Sequence, residues 1–244
     1  MAEKKSYFRA LTIGGSDSSG GAGIQADIKT FSALGCYGMS AITVLTSQNT
    51  QGVFGIQEIS PEFVVEQITS VLGDIGVDAV KIGMLFNTLI IQKVAKCMRE
   101  NRGFPVVLDP VMFAKSGDRL LKKDAIDTIR DELFPLATLV TPNIPEASAL
   151  LGRPIESPES MQEAAVELCA LGPQGVVIKG GSLLNRASDD CMFVKNGQLQ
   201  WLKQERIDTQ NIHGTGCTFS SAITAFLAQS FTVKDSVLEA KKYV

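Results

Sequence analysis

Residues Asn211-Ile212-His213-Gly214-Thr215-Gly216-Cys217-Thr218 run straight into Phe219-Ser220-Ser221-Ala222-Ile223-Thr224-Ala225-Phe226-Leu227. The first part is a glycine-rich loop, and the second is an apolar, alanine-rich segment that predicts a buried helix. A helix N-terminus leaves about four backbone N–H groups without intrahelical partners and carries a partial positive charge. Glycine lets that bare backbone approach a ligand closely, so the arrangement suits an anion, above all phosphate. Taken alone, the stretch reads equally well as an ordinary loop capping a core helix. The rest of the chain decides between the two.

Upstream, short apolar runs alternate with helical periodicity. Phe8 to Gly14 predicts a buried strand that stops at a glycine, and Ile24 to Leu34 predicts a helix with Gly35 as C-cap. Ser40 to Thr46 predicts a strand. Ser60-Pro61 opens a helix as N-cap and first helical residue. Strands follow at Asp78–Ile82, Pro105–Leu108, Thr138–Thr141 and Gly175–Ile178. Between them come helices at Asn87–Glu100, Lys122–Phe134 and Ile144–Leu151, and one from Ser157-Pro158 to Leu171. Cys191–Val194 and Gln198–Lys203 flank Asn196-Gly197 and predict a hairpin with an Asn-Gly turn. This pattern predicts a three-layer α/β fold: a mainly parallel central sheet, flanking helices and a small antiparallel edge. No linker or repeat interrupts residues 1–244, so one domain is expected.

Ligands of such folds sit outside the carboxyl ends of the parallel strands. The segments just after the strands are Gly15–Asp27, Ser47–Asn49, Gly83-Met84, Asp109-Pro110, Pro142-Asn143, Lys179-Gly180-Gly181 and the Gly214 loop. All are polar or glycine-rich, which favours a binding site at that end.

Net charge is -3, which argues against nucleic acid or an anionic membrane surface as the main partner. No apolar run reaches the roughly 18 residues of a membrane helix, and the N-terminus lacks a signal-peptide core, so a cytoplasmic location is expected. Five cysteines without close pairing fit reduced thiols, and a single histidine excludes a multi-histidine metal site.

Two phosphate motifs fail. Gly15 to Gly20 has the P-loop spacing, but Gly21-Ala22 stands where Lys-Ser should be. Gly21 to Ala26 matches a dinucleotide fingerprint in form only. It begins well after the first strand, and the second strand ends in Ser47-Gln48-Asn49 without the acidic residue. Phosphoryl transfer without a Walker motif remains. It needs backbone donors, a cation, Mg²⁺ ligands and a group facing the attacking hydroxyl. Lys179, just after a buried strand, supplies a cation, unless it is a solvated loop lysine. Asp109 with Asn143 and Glu146 offers hard oxygen ligands for Mg²⁺, although Asn143 and Glu146 read equally as a capping box. A thiol hydrolase built on Cys217 and His213, and a non-catalytic nucleotide-binding regulator, are the alternatives from other classes.

The segments GGSDSSGGAGIQADIKTFSALGCYGMSAITVLTSQNT (from Gly14), KIGML (from Lys81), VVLDPVM (from Val106), AKSGD (from Ala114), TPNIPEA (from Thr141), IKGG (from Ile178) and NIHGTGCTFSSAI (from Asn211) occur in the order seen in the ribokinase-like superfamily. Across essentially the whole chain they resemble its vitamin-kinase branch, and most of all the hydroxymethylpyrimidine/phosphomethylpyrimidine kinases of thiamine biosynthesis. The resemblance implies a ribokinase-like fold that phosphorylates 4-amino-5-hydroxymethyl-2-methylpyrimidine from Mg-ATP, and then its monophosphate. It implies that Gln48 and Asp27 hydrogen-bond the pyrimidine and that Gly15, Ala22, Met84 and Val111 line its pocket. ATP would lie against Lys179, Asn143, Thr141 and Lys115, and Mg²⁺ against Asp109 and Glu146. Gly214, Thr215 and Gly216 would form the anion hole. Cys217 would face the hydroxyl, either as a thiolate base lowered by the helix N-terminus or as an S–H lining the hole. Relatives are commonly homodimers, and they continue past Lys241-Lys242-Tyr243-Val244, which points to a truncated C-terminus. Pyridoxal/pyridoxine kinase is the alternative within the branch; Gln48 favours the pyrimidine, whose edge needs both a donor and an acceptor.

Overall fold

The computed structural model describes residues 7–113, 120–121, 124–181, 189–195, 197, 199–205, 207–209 and 211–244. In chain order the elements are β1 (Phe8–Asp17), α1 (Gly23–Ala33), β2 (Cys36–Gln48), β3 (Val53–Glu58), α2 (Pro61–Asp74), β4 (Ala79–Ile82), α3 (Thr88–Glu100), β5 (Val106–Leu108), α4 (Ala125–Thr128), β6 (Leu139–Val140), α5 (Ile144–Leu151), α6 (Pro158–Ala170), β7 (Gly175–Ile178), β8 (Asp190–Val194), β9 (Gln200–Leu202), α7 (Thr215–Ala228) and α8 (Val233–Tyr243). The strands form one sheet in the order β3-β2-β1-β4-β5-β6-β7-β8-β9. From β2 through β7 neighbours are parallel, whereas β3, β8 and β9 pair antiparallel.

Short apolar runs such as Val106–Leu108 become inner strands because both sheet faces are covered. Alternation along each strand then sorts side chains between two cores. Leu11, Ile13, Val80, Ile82 and Leu108 pack with α2, α3, α5 and α6, whereas Ala10, Ala79, Val107, Leu139 and Val177 pack with α7 and α8. On that second face the next inward positions toward the strand ends are Thr12, Lys81, Asp109, Thr141 and Lys179. Polar groups thus converge under α7.

The parallel sheet and the hairpin edge match the sequence reading, with three differences. The first strand does not stop at Gly14; it continues to Asp17 through a register shift beside Gly15. A bulge adds a residue without ending the pairing. Next, β3 forms a second antiparallel edge that sequence reasoning missed, because nearly all its residues are exposed and it shows no apolar alternation. Finally, the helix expected over Lys122–Phe134 is a single α-turn at Ala125–Thr128, then a π-helical turn at Ile129–Leu133 and a 3-10 turn at Phe134–Leu136. Pro135 has no N–H to continue an α-ladder. Lys122, Asn196 of the expected turn, and Lys115 lie outside the described residues.

Candidate active site

The strand order reverses direction at β1: one crossover leads outward to β2, and the chain later returns to place β4 on the other side. Such a switch point opens a crevice at the carboxyl ends of the two strands. There Gly14 lies beside the end of β4, and an added Cβ would make an ordinary contact of 3.7 Å with the Met84 backbone nitrogen. At Gly15 an added Cβ would meet Met84 Sδ and Val44 Cγ2, each at 3.1 Å. Val44, Met84 and Leu120 form a separate small apolar cluster with Val53, Phe86 and Val111 against it. Gly15, Met84 and Val111, expected to line a pocket, are therefore brought together, with Ala22 partly exposed on the adjoining loop. Phe86 sits at φ 70°, at the centre of a γ-turn closed by the Asn87 N–H donating to the Leu85 carbonyl at 2.9 Å. Positive φ is the strained hand of that turn. Gln48 ends β2 beside this wall, its Oε1 accepting from Thr46 Oγ1 at 3.0 Å.

The loop preceding α7 folds over the β1–α1 loop. Gly214 takes φ 82°, and an added Cβ there would stand 1.8 Å from the Gly21 carbonyl oxygen. His213 Nε2 lies 2.9 Å from Asp17 Oδ2. The same carboxylate accepts from the backbone N–H groups of Ser19 and Ala22 and from Ser19 Oγ. Burial alone raises an acid, but these hydrogen bonds outweigh it and hold Asp17 below the usual carboxylate range. The histidine thus fastens two loops, and in this structure it is aimed at Asp17 rather than serving as a base for Cys217. No side chain caps the start of α7, where the Thr215 N–H makes a long bond of 3.4 Å to the Ile212 carbonyl.

Behind that helix end lie two buried ion pairs. Lys179 Nζ is 2.8 Å from Asp109 Oδ1, and Thr141 Oγ1 and Ser220 Oγ donate to the same carboxylate at 3.3 and 3.0 Å. An added Cβ on Gly216 would come within 3.4 Å of the Lys179 ammonium, which places that cation beneath the first turn of α7. Burial opposes the ammonium, yet Asp109 and Glu146 outweigh it and its pKa is raised. The solvated-loop reading of Lys179 is thereby excluded. The second pair is Lys81 with Asp27, at 2.5 Å; sequence reasoning passed over its lysine. The available signal was a lysine inside the apolar strand Ala79-Val80-Lys81-Ile82, a position where charge is tolerated only when paired.

Two of the expected site residues sit in surroundings that only the fold supplies. Asp27 is 1% exposed, with one oxygen engaged by Lys81 and Ser221 and the other by Thr12. Both oxygens of its carboxylate are thus engaged within the protein. Cys217 is not lowered by its helix terminus. Burial raises its pKa; Lys81 and the Gly23 N–H pull it down, but Asp27 and Asp109 push it up further, and it stands at about 11. The thiol is protonated at neutral pH.

Asn143 and Glu146 do form the capping box: Asn143 Oδ1 accepts from the Glu146 N–H at 2.9 Å, and Glu146 Oε2 from the Asn143 N–H at 2.8 Å. Burial raises Glu146; Lys179 and the backbone N–H groups of Asn143 and Met112 oppose this, Asp109 adds to it, and the result is about 7. Among the described residues, no three His, Cys, Asp or Glu side chains are grouped to hold a metal. Two carboxylates with lysine beside them fit an ion that keeps most of its waters and phosphate ligands, as Mg²⁺ does, and not an all-protein cage. Among the described residues, no helix is long and apolar enough to cross a membrane.

Comparison with known proteins bears on family and fold. A protein of Escherichia coli (strain K12) named hydroxymethylpyrimidine/phosphomethylpyrimidine kinase is 48% identical, covering 97% of this chain and 89% of its own. The thiamine biosynthesis bifunctional protein of Geobacter sulfurreducens is 49% identical over 96% of this chain, which spans only 48% of that protein. Among solved structures, phosphomethylpyrimidine kinase of Clostridium difficile 630 matches with TM-score 0.86 and 42% identity, covering 97% of each chain. An ADP complex of Bacillus subtilis pyridoxal kinase matches with TM-score 0.91 and 42% identity, covering 98% of this chain and 91% of the other. The α/β fold expected from the ribokinase-like resemblance is thus the fold of these vitamin kinases. A family model described as phosphomethylpyrimidine kinase matches residues 17–244, and the chain belongs to that family.

Proposed function

We propose that this protein transfers the γ-phosphoryl group of ATP to the hydroxymethyl oxygen of 4-amino-5-hydroxymethyl-2-methylpyrimidine, and then phosphorylates the monophosphate to the diphosphate. The observation that carries this reading is the meeting of three features at one point. These are the uncapped N-terminus of α7, the Lys179–Asp109 pair beneath it, and the apolar wall of Gly15, Val44, Met84 and Val111.

In this reading the pyrimidine ring stacks against Met84 and Val111 beside Ala22 and Gly15, and the Gln48 amide meets its polar edge. Lys179 and Asn143, with Thr141 behind them, receive the ATP phosphates, and the family resemblance extends that role to Lys115. Asp109 and Glu146 would hold Mg²⁺, which would supply charge neutralisation at the phosphates. Backbone N–H groups of Gly214, Thr215 and Gly216 stabilise the transferring group, whose negative charge lies where the helix dipole is positive. A bond forms between the hydroxyl oxygen and the γ-phosphorus as the bond to the bridging oxygen breaks and ADP leaves, and the hydroxyl proton passes to an oxygen of the transferred phosphoryl group and from there to water. Cys217 enters as an S–H at the hydroxyl; a loose transition state places little demand on a strong base.

An ADP-release assay with product mass tests the proposal: one and then two added phosphates on the pyrimidine alcohol are expected. The likeness to pyridoxal kinase structures supports a second reading, phosphorylation of pyridoxal. Turnover of pyridoxal with none of the pyrimidine, or a Gln48→Met variant unchanged on both, would overturn the assignment.

A further inference from the structure

The consecutive serines of α7 reach two different ion pairs. Ser220 Oγ donates to Asp109, which holds Lys179, and Ser221 Oγ donates to Asp27, which holds Lys81. The first pair faces the phosphate side, and Lys179 is partly exposed there. The second is sealed: Thr12, Asp27, Lys81 and Ser221 are each no more than 1% exposed or nearly so. Its contacts are short, with Lys81 Nζ and Ser221 Oγ each 2.5 Å from Asp27 Oδ1 and Thr12 Oγ1 2.6 Å from Oδ2. One carboxylate thereby joins α1, β1, β4 and α7. Burying two charges and two hydroxyls is costly before pairing, and an apolar replacement of such a pair is often neutral or stabilising. Stability alone does not account for the pair.

Its location does. Ser221 lies one helical turn after Cys217 on the same face of α7. Lys81 and Asp27 both act electrostatically on the Cys217 thiol, as does Asp109 from the end of β5, and the Gly23 N–H donates to it from the start of α1. The other charged groups near this helix end are Lys179 and Glu146 on the phosphate side and Asp17 with His213 on the loop side.

We propose that Lys81 is a positioning residue for phosphoryl transfer: through Asp27 and Ser221 it fixes the depth and rotation of the first turns of α7, and so the place where Cys217 and the anion hole meet the reacting hydroxyl. This rests on the kinase reading above. Lys81 touches neither substrate nor phosphate; it acts through Asp27.

Two variants test it. Ser221→Ala cuts the tie between pair and helix while leaving the pair intact. The double variant Asp27→Asn with Lys81→Met removes both charges together and so leaves no unpaired buried ion. Both are expected to fold with thermal midpoints close to wild type. In ADP release, kcat should fall about tenfold for Ser221→Ala and up to about a hundredfold for the double variant, the scale for misplacement by about an ångström, with KM for ATP within about twofold. A second readout needs no turnover. Alkylation of Cys217 by iodoacetamide at fixed pH, followed by peptide mass, should accelerate about fivefold as the helix end loosens. Folded variants with kcat and Cys217 alkylation both unchanged would overturn the proposal, as would equal loss in kcat and in thermal midpoint. If wild type fails to phosphorylate the pyrimidine alcohol while alkylation still responds, the substrate assignment fails and the positioning role stands.

Discussion

Replacing Gly214 by alanine separates backbone strain from site geometry. Gly214 adopts φ 82°, and an L side chain in that region costs about 1–2 kcal/mol. The new Cβ would also stand 1.8 Å from the Gly21 carbonyl oxygen, whereas real Cβ atoms essentially never come within 3.0 Å, so one loop must retreat by more than about an ångström. Gly35 is the matched control, because it has φ 78° and nothing within 4 Å of its added Cβ. Gly35→Ala should lower the thermal midpoint by about 2–8 °C, the shift that 1–2 kcal/mol produces in a chain of this size, and leave kcat/KM unchanged. Gly214→Ala should show at least that shift and in addition lose about a hundredfold in kcat/KM, or about 2.7 kcal/mol of transition-state stabilisation. The assays are thermal unfolding and ADP release with the pyrimidine alcohol. If the two alanine variants agree in kcat/KM within about threefold, the anion hole is not held by the Gly214–Gly21 contact and the reasoning fails.

Other outcomes follow from the same coordinates. Because the Cys217 pKa stands at about 11 against an ordinary 9.0, its alkylation should climb with pH well beyond the range where a free thiol levels off. The unfolded chain releases that proton first, so the thiol's contribution to stability is complete below about pH 9 and is lost toward 11; unfolding of wild type against Cys217→Ser measures it. Glu146, raised from 4.5 to about 7, binds its proton more tightly when folded. Its contribution relative to Glu146→Gln should be full below about pH 4.5 and decline up to about 7, while activation by Mg²⁺ improves over the same rise as the carboxylate ionises. A Mg²⁺ response that is independent of pH and survives in Glu146→Gln would remove Glu146 from the metal site. Lys179→Met leaves Asp109 buried without its cation, so it should lower the thermal midpoint and reduce kcat/KM about a hundredfold or more at a temperature where the variant is folded; a loss below about threefold would argue against a phosphate contact.

Much of this molecule is written locally. Apolar runs of four or so residues ended by glycine or polar residues marked the inner strands, and Ser60-Pro61, Asn143-Glu146 and Ser157-Pro158 marked helix starts that the structure reproduces with their capping bonds. The edge strand Val53–Glu58 was hidden because an exposed edge needs no apolar pattern. The helix expected over Lys122–Phe134 is helical throughout its described residues from Ala125, but it passes from α to π geometry at Ile129, a change that apolar periodicity does not show.

The sequence by itself determined the α/β architecture, the end of the sheet where a ligand belongs, and the residues Lys179, Asp109, Glu146 and Gly214–Cys217 that gather there. Those follow from periodicity and from glycine and proline chemistry, which act over a few residues. Only the tertiary structure decided how these groups are charged and held. Asp27 meets Lys81 across 54 positions and Ser221 across 194, and His213 meets Asp17 across 196. Helix termini lower a thiol locally, yet burial and two carboxylates from distant segments raise Cys217 instead. Interaction strength in a low-dielectric interior depends on distance in space, and parallel pairing of β1 with β4, 69 residues away along the chain, sets those distances.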